Sequence, residues 1–143
     1  MKKYKIGYTT GVFDMFHIGH LNILERAKAQ CDCLIVGVST DDVVKSYKGK
    51  TPIIPFEERM RIVGAIKYVD KVIPQTSMDK MIAWNNIHFD ALFHGDDWKG
   101  TAMYENIEKD LRKVGCDVVF LPRTEGVSST LLAQVLYENS EEK

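Results

Sequence analysis

The chain has 143 residues, with 19 lysines and arginines against 20 aspartates and glutamates, and a formal net charge of −1 at pH 7. This length favours a single domain with a core of its own, spanning residues 1–143. The balanced charge gives no electrostatic reason to expect nucleic acid or a membrane surface as a partner. No apolar stretch approaches the ~20 residues of a membrane span, and the N-terminus lacks the apolar region of a signal peptide. We therefore expect a cytoplasmic protein.

Short apolar runs alternate with amphipathic segments along the chain. In chain order, strands are predicted at 5–10, 33–39, 71–74, 91–95 and 117–122. Helices are predicted at 18–30, 56–68, 78–86, 103–114 and 128–139. The pair Asp41-Asp42, which follows Thr40, is typical of a cap that opens a further short helix. Residues 138–143 are predicted to form a frayed, solvated tail.

This alternation predicts an α/β fold, a Rossmann-like doubly wound sheet of about five parallel strands flanked by helices. Continuous apolar runs such as the one at 34–38 suit strands that are covered on both faces. In such sheets, ligands bind beyond the carboxyl ends of the strands, where the strand order reverses. Polar motifs follow four of the predicted strands, at 10–20, 39–42, 95–98 and 123–130. We expect these motifs to share one crevice.

The segment from Gly11 to His20 reads GVFDMFHIGH, follows the first strand and opens a helix. His17 and His20 are three residues apart and so share a helix face. The first turn of a helix carries unpaired N–H groups and the positive end of the dipole, which favours phosphate. Gly11 and Gly19 allow a tight turn and close approach to a ligand. We predict a site for a nucleotide triphosphate. For an isolated H-x-x-H pair, two surface histidines would be the better interpretation, and zinc is disfavoured because no H-E-x-x-H or paired C-x-x-C accompanies it.

A second motif, RTEGVSST, begins at Arg123 after the last predicted strand. Arginine offers a planar, permanently charged fork to phosphate oxygens. Gly126 permits a tight turn, and Ser128 can cap the next helix while its N–H groups face an anion. Capping alone would explain Ser128, and a surface ion pair would explain Arg123. Together, at a strand end opposite the first motif, they predict a second phosphate clamp.

The H-x-G-H core and the RTEGVSST segment together resemble the cytidylyltransferase family of nucleotidyltransferases. The resemblance covers roughly residues 5–135 and is strongest to glycerol-3-phosphate cytidylyltransferases and to the catalytic domains of choline- and ethanolamine-phosphate cytidylyltransferases. It implies transfer of a cytidylyl group from CTP to a small phosphorylated alcohol, with Mg²⁺ accompanying CTP and pyrophosphate as the second product. It also implies a homodimer. The residues that bind the metal stay unknown.

The resemblance also implies roles for particular residues. The expected catalytic residues are His17, His20, Lys48 and Arg123. The expected nucleotide-binding residues are Thr10, Gly11, Val12, Phe13, Asp14, Gly19, Asp96, Asp97, Thr124, Gly126, Ser128 and Ser129. The expected substrate-binding residues are Asp41, Arg59 and Trp98. Three of these residues also have explanations that involve no function: Lys48 could be a solvated loop lysine, Arg59 could form a surface ion pair, and Trp98 could be a packed aromatic. His88 is expected to be structural, and His94 to line the pocket without being catalytic.

The acceptor is the open question. The sequence Gly95-Asp96-Asp97-Trp98 and the single domain favour glycerol 3-phosphate, which gives CDP-glycerol for teichoic-acid-like or capsular polymers. Val12, however, stands where the glycerol-3-phosphate enzymes typically carry threonine and the choline-type enzymes carry an aliphatic residue. Phosphocholine or phosphoethanolamine is therefore the alternative. Two further hypotheses remain: an ATP-dependent sugar-phosphate adenylyltransferase and a non-catalytic nucleotide-binding module.

Overall fold

The structure is a computed structural model that describes residues 2–122, with the side chain of Asp97 excepted. The predictions for Arg123, Thr124, Gly126, Ser128 and Ser129 lie outside the described residues, as do the helix at 128–139 and the tail. The elements in chain order are β1 (Tyr4–Gly11), α1 (Ile18–Lys28), β2 (Cys31–Ser39), α2 (Asp41–Lys48), α3 (Phe56–Gly64), β3 (Lys71–Gln75), α4 (Lys80–Ile87), β4 (Ala91–Gly95), α5 (Ala102–Lys113) and β5 (Asp117–Leu121). One turn of 3₁₀ helix, Asp96–Trp98, follows β4.

All five predicted strands are present and pair in parallel in the order β3-β2-β1-β4-β5. The predicted α/β class and sheet are thus confirmed. The strand order reverses between β1 and β4, because β2 and β3 lie on one side of β1 while β4 and β5 lie on the other. This is the point at which open parallel sheets leave a crevice for ligands.

Helices cover both faces of the sheet. Leu24 of α1 and Val63 of α3 pack on one face, in a core that includes Leu34 of β2. Tyr104 and Leu111 of α5 pack on the other face, together with side chains of α4. Among residues 2–122, no helix combines the length and apolarity needed to cross a membrane.

Three helices are shorter than the sequence predicts: α1 ends at Lys28 rather than at 30, and α3 and α4 differ for local reasons. Helix α3 ends at Gly64 rather than at 68, and the chain then turns so that the N–H of Asp70 donates to the carbonyl of Leu34 and β3 can begin. Helix α4 begins at Lys80 rather than at 78, because the side chain of Asp79 caps it by accepting from the N–H of Met81.

Candidate active site

A cavity of about 400 Å³ lies at the carboxyl ends of β1, β2, β3 and β4. The loop between β1 and α1 bounds it on one side, and α4 and α5 bound it on the other. Five residues predicted to bind nucleotide line it: Thr10, Gly11, Val12, Phe13 and Asp14. His20, Lys48, His94 and Trp98 line it as well. The ends of β1, β2 and β4 therefore converge as the sequence predicts, and the end of β3 joins them, whereas the motif predicted at 123–130 lies outside the described residues.

His17 and His20 cap the N-terminus of α1 reciprocally. The Nδ1 atom of His17 accepts from the N–H of Gly19 at 3.1 Å, and the Nδ1 atom of His20 accepts from the N–H of His17 at 3.1 Å. This is a capping box in which two imidazoles take the roles usually held by serine or threonine and by glutamate. In a neutral imidazole, an accepting Nδ1 leaves the proton on Nε2. Each ring therefore keeps one Nε2–H donor.

Both rings are neutral at pH 7. Burial lowers the pKa of His17, and burial together with the neighbouring His17 lowers the pKa of His20 to about 3. The two rings are stacked, with their centroids 3.8 Å apart. His20 lines the cavity and His17 does not. The Nε2 atom of His17 is buried and has no hydrogen-bond partner among the described residues. A buried unpaired donor costs ~1–3 kcal/mol, which is recovered when a ligand oxygen accepts from it.

The backbone of the β1–α1 loop is strained where it meets the cavity. Phe13 and Met15 have φ values of 56° and 47°, in the left-handed region that residues with a side chain seldom adopt. Gly11 does not make this turn. Instead, a Cβ atom at Gly11 would lie 3.0 Å from the ring of Phe13, so glycine leaves room for that buried ring. Gly19 lies within α1 and outside the cavity lining, and its N–H serves the cap.

Arg59 is placed differently from its predicted role in binding substrate. Its side chain is fully buried and is not part of the cavity lining. Nε donates to the carbonyl of Ile54 at 2.9 Å, and Nη1 donates to the carbonyls of Val12 and Ser39 at 2.7 and 2.8 Å. Nη2 pairs with Oδ1 of Asp41 at 2.6 Å. Asp41, also predicted to bind substrate, is thus engaged by Arg59 and is not part of the cavity lining. Arg59 fastens three segments that surround the cavity.

Asp14 links the β1–α1 loop to the segment that precedes α3. Its two carboxylate oxygens accept from the N–H groups of Ile53 and Ile54, at 2.9 and 2.8 Å. The segment at 50–53 lines the cavity, so this carboxylate sets the position of one cavity wall. Asp14 therefore has a scaffolding role beside its predicted contact with nucleotide.

Lys48 is the last residue of α2 rather than a loop residue, and Gly49 ends the helix with φ of 76°. Its ammonium lies 5.9 Å from the centre of the Tyr47 ring, and both residues line the cavity. Lys50, which the sequence analysis did not single out, also lines it. This side of the cavity thus presents two cations to an anionic ligand.

Sequence reasoning missed a buried polar group formed by Ser39, Gln75 and Lys80. Lys80 Nζ donates to Gln75 Oε1 at 2.9 Å, and Gln75 Nε2 donates to Ser39 Oγ at 3.1 Å. All three residues line the cavity and are buried. One local signal was present, because Lys80 opens α4, where the helix dipole disfavours a cation.

Three aromatic rings, those of His94, Trp98 and Tyr104, line the same end of the cavity. Their centroids lie 4.9 to 5.7 Å apart. Burial and the charge of Lys80 lower the pKa of His94 to about 3. Asp96 lies in the 3₁₀ turn, exposed and outside the cavity lining, so its side chain is not positioned for the predicted contact with nucleotide. Asp97 belongs to the same turn.

The described residues offer no ready-made metal cage. Among residues 2–122, no group of three or more histidine, cysteine, aspartate or glutamate side chains could hold a metal ion. Of the described side chains that line the cavity, Asp14 is the one carboxylate, and both of its oxygens already accept backbone N–H groups.

The fold and the site together define a Rossmann-like α/β protein with a cavity at the carboxyl ends of its parallel strands and two neutral imidazoles at the N-terminus of α1. Comparison with known families agrees, because the cytidylyltransferase-like family model matches residues 8–135. The chain belongs to this family.

Two curated relatives and one solved structure show which members of the family this chain is similar to. The chain is 40% identical to a glycerol-3-phosphate cytidylyltransferase of Bacillus subtilis, over 88% of this chain and 92% of that protein. It is 39% identical to an ethanolamine-phosphate cytidylyltransferase of Arabidopsis thaliana, over 86% of this chain but only 30% of that protein. The crystal structure of a lipopolysaccharide core biosynthesis protein from Thermoplasma volcanium superposes with a TM-score of 0.71 at 27% identity, covering 85% of this chain and 97% of that one.

Proposed function

We propose that this protein transfers a cytidylyl group from CTP to glycerol 3-phosphate, giving CDP-glycerol and pyrophosphate. The observation that carries the proposal is the pair of neutral Nε2–H donors, His17 and His20, at the α1 N-terminus. Similarity over nearly the whole length of the Bacillus subtilis enzyme supports the acceptor.

In the proposed reaction, a phosphate oxygen of the acceptor attacks the α-phosphorus of CTP in line. A new P–O bond forms as the bond to the β-phosphate oxygen breaks, and the electron pair leaves with pyrophosphate. No protein base is needed, because the attacking phosphate is already anionic. The protein contributes position and stabilisation of the negative charge that builds in the transition state.

The donors fit that task because they are fixed before the ligand arrives. The capping hydrogen bonds fix the tautomer of both imidazoles, so the two Nε2–H groups can donate without moving a proton. The N–H groups of the first turn of α1 and the ammonium of Lys48 add positive potential. Removing one preorganised donor of this kind typically lowers kcat ~10²–10³-fold. Arg123 is proposed as a further phosphate ligand from the resemblance.

We propose that Mg²⁺ enters with CTP as part of the substrate. Mg²⁺ prefers oxygen ligands, keeps several waters and commonly binds through substrate phosphates with one or two carboxylates. The described residues fit this better than a protein-only site, since they contain no cluster of three metal-ligating side chains.

The test is pyrophosphate release with Mg²⁺, crossing CTP, ATP, UTP and GTP against glycerol 3-phosphate, phosphoethanolamine, phosphocholine and sugar phosphates. The expected result is CTP-dependent release with glycerol 3-phosphate. Release with ATP alone would move the chain to an adenylyltransferase, and release with no pair would favour a binding module. A His20→Ala variant gives the catalytic control. The matched control variant is His88→Asn, because His88 caps the C-terminus of α4 with φ of 56° and lies outside the cavity lining.

We also propose that the protein is a homodimer in the cytoplasm. The resemblance supports the dimer, and on α3 the side chain of Ile62 is 42% exposed. Light scattering after size-exclusion chromatography, repeated with Ile62→Lys, tests the assembly.

A further inference from the structure

The side chain of His94 reaches the cavity from the end of β4, on the side away from α1. Side chains alternate along a strand, so Phe93 packs in the core beneath α1, whereas His94 points to the face that α4 and α5 cover. There its ring meets the rings of Trp98 and Tyr104 edge to face, with centroids 5.7 and 4.9 Å away. These contacts fix the plane of the imidazole at the wall of the cavity.

A backbone hydrogen bond determines which nitrogen of this ring carries the hydrogen. Nδ1 of His94 accepts from the N–H of Gly95 at 3.0 Å. Burial and the nearby charge of Lys80 lower the pKa of His94 to about 3, so the ring is neutral at pH 7. In a neutral imidazole whose Nδ1 accepts, Nε2 holds the hydrogen. His94 therefore offers a ligand one donor, Nε2–H, and no acceptor.

This Nε2–H has no hydrogen-bond partner within the part of the chain that the structure describes, where the bond to Gly95 is the one that the ring makes. It is not enclosed by protein atoms in the way that Nε2 of His17 is, so it opens onto the cavity that His94 lines. The carboxylate of Asp14 cannot serve it, because both oxygens of Asp14 already accept backbone N–H groups. A ligand oxygen would supply the missing acceptor.

The position of this donor indicates which ligand it meets. In the proposed function, pyrophosphate leaves from the N-terminus of α1, and in-line attack requires the acceptor phosphate to approach the α-phosphorus from the opposite side. His94 lies across the cavity from α1, next to α5. The charge of Lys80 acts on the His94 ring, and a positive potential favours an anionic oxygen over the neutral cytosine base.

We propose that His94 donates its Nε2–H to an anionic oxygen of the acceptor phosphate and so holds that group in line with the α-phosphorus. The inference rests on the proposed function and adds an acceptor-binding residue to it. A neutral donor suits this task, because it binds the phosphate without transferring a proton to the attacking oxygen. An imidazolium in the same place would share its proton with the nucleophile and make it less reactive.

Two substitutions separate the Nε2–H donor from the rest of the side chain. His94→Asn can keep the hydrogen bond to the N–H of Gly95, since its amide occupies the place of Nδ1, but it loses the distal donor. His94→Gln carries an amide N–H near the place of Nε2. We expect His94→Asn to raise the KM for glycerol 3-phosphate ~10- to 100-fold, as for a lost hydrogen bond to a charged group, while the KM for CTP stays constant.

His94→Gln should recover most of the lost affinity for glycerol 3-phosphate. His88→Asn, at the end of α4 and outside the cavity lining, is the control for a histidine-to-asparagine change and should leave both KM values at those of the wild type. If His94→Asn does not fold, as judged by circular dichroism, His94→Phe serves instead, because it keeps a ring against Trp98 and Tyr104 and removes both nitrogens.

A raised KM for CTP with an unchanged KM for glycerol 3-phosphate would place His94 against the nucleotide and overturn the proposal. Equal KM values for glycerol 3-phosphate in the asparagine and glutamine variants would also overturn it, since the donor at Nε2 would then make no difference. A wild-type enzyme that releases no pyrophosphate with CTP and any acceptor would instead contradict the proposed function.

Discussion

Replacing Arg59 by lysine tests whether this residue supports the fold or binds substrate. The guanidinium makes four hydrogen bonds, three of them to backbone carbonyls of segments that surround the cavity. A lysine keeps the charge but is a point donor that cannot match a planar fork. It can reach about two of the four acceptors, which leaves about two buried groups without their charged partner.

The expected loss of stability follows from those contacts. Each lost hydrogen bond to a charged group is worth roughly 1.5–3 kcal/mol, so the loss of two in Arg59→Lys should lower the free energy of unfolding by about 3–6 kcal/mol. The lost hydrogen bonds to backbone carbonyls account for most of the lost stability, because the side chain of Asp41 is 40% exposed and its ion pair with Arg59 is screened by water. For a chain of this size, at roughly 3–4 °C per kcal/mol, the melting temperature should fall by about 10–20 °C.

The assay is urea unfolding of the ligand-free protein, with Arg61→Lys on the exposed side of the same helix as the matched control. Arg61→Lys should stay within about 0.5 kcal/mol of wild type. Unchanged stability of Arg59→Lys, combined with a large increase in the KM for glycerol 3-phosphate, would refute the scaffold assignment and restore the predicted role in substrate binding.

Three further predictions concern the cavity. His17→Ala and His20→Ala should each keep a folded far-UV circular dichroism spectrum and lose ~10²–10³ in kcat, so a near-normal kcat in both would contradict the donor role. Asp14→Asn leaves one acceptor oxygen for the two N–H groups of Ile53 and Ile54, so the cavity wall at 50–53 should loosen. The KM for CTP should then rise roughly 10-fold in initial-rate assays. An unchanged KM would argue against a role of Asp14 in positioning this wall. His20 and His94 have pKa values of about 3 when folded and ~6.5 when unfolded. Between those values the unfolded state binds more protons, so the stability present above pH 6.5 is lost as the pH falls, by at most ~1.4 kcal/mol per pH unit for each histidine. Urea unfolding at pH 7 and pH 5 measures this loss of stability. The free energy of unfolding should depend less steeply on pH in His94→Gln than in the wild type. Equal stabilities of the wild type at the two pH values would contradict the prediction.

The sequence alone predicted the five parallel strands, because each is a short apolar run set between turn residues and amphipathic helices. It also located the pair of histidines at the N-terminus of α1, for which it predicts phosphate binding. The cap formed by His17 and His20 is local, and its hydrogen bonds join residues two or three positions apart. Such an arrangement can be recognised before the fold is known, since helix geometry alone brings the atoms together.

Tertiary structure decided the roles of residues whose partners are distant in sequence. Arg59 donates to Val12 across 47 positions and to Ser39 across 20, so no local pattern separates it from a surface arginine. In the sequence, Lys80 looks like an ordinary lysine at the start of a helix. Its buried hydrogen bond to Gln75 becomes apparent only in the fold, where the pairing of β2 with β3 brings Ser39 and Gln75 together. Hydrogen-bond partners and burial depend on which segments meet in space, and here the strand order, with β1 between β2 and β4, determines which segments meet.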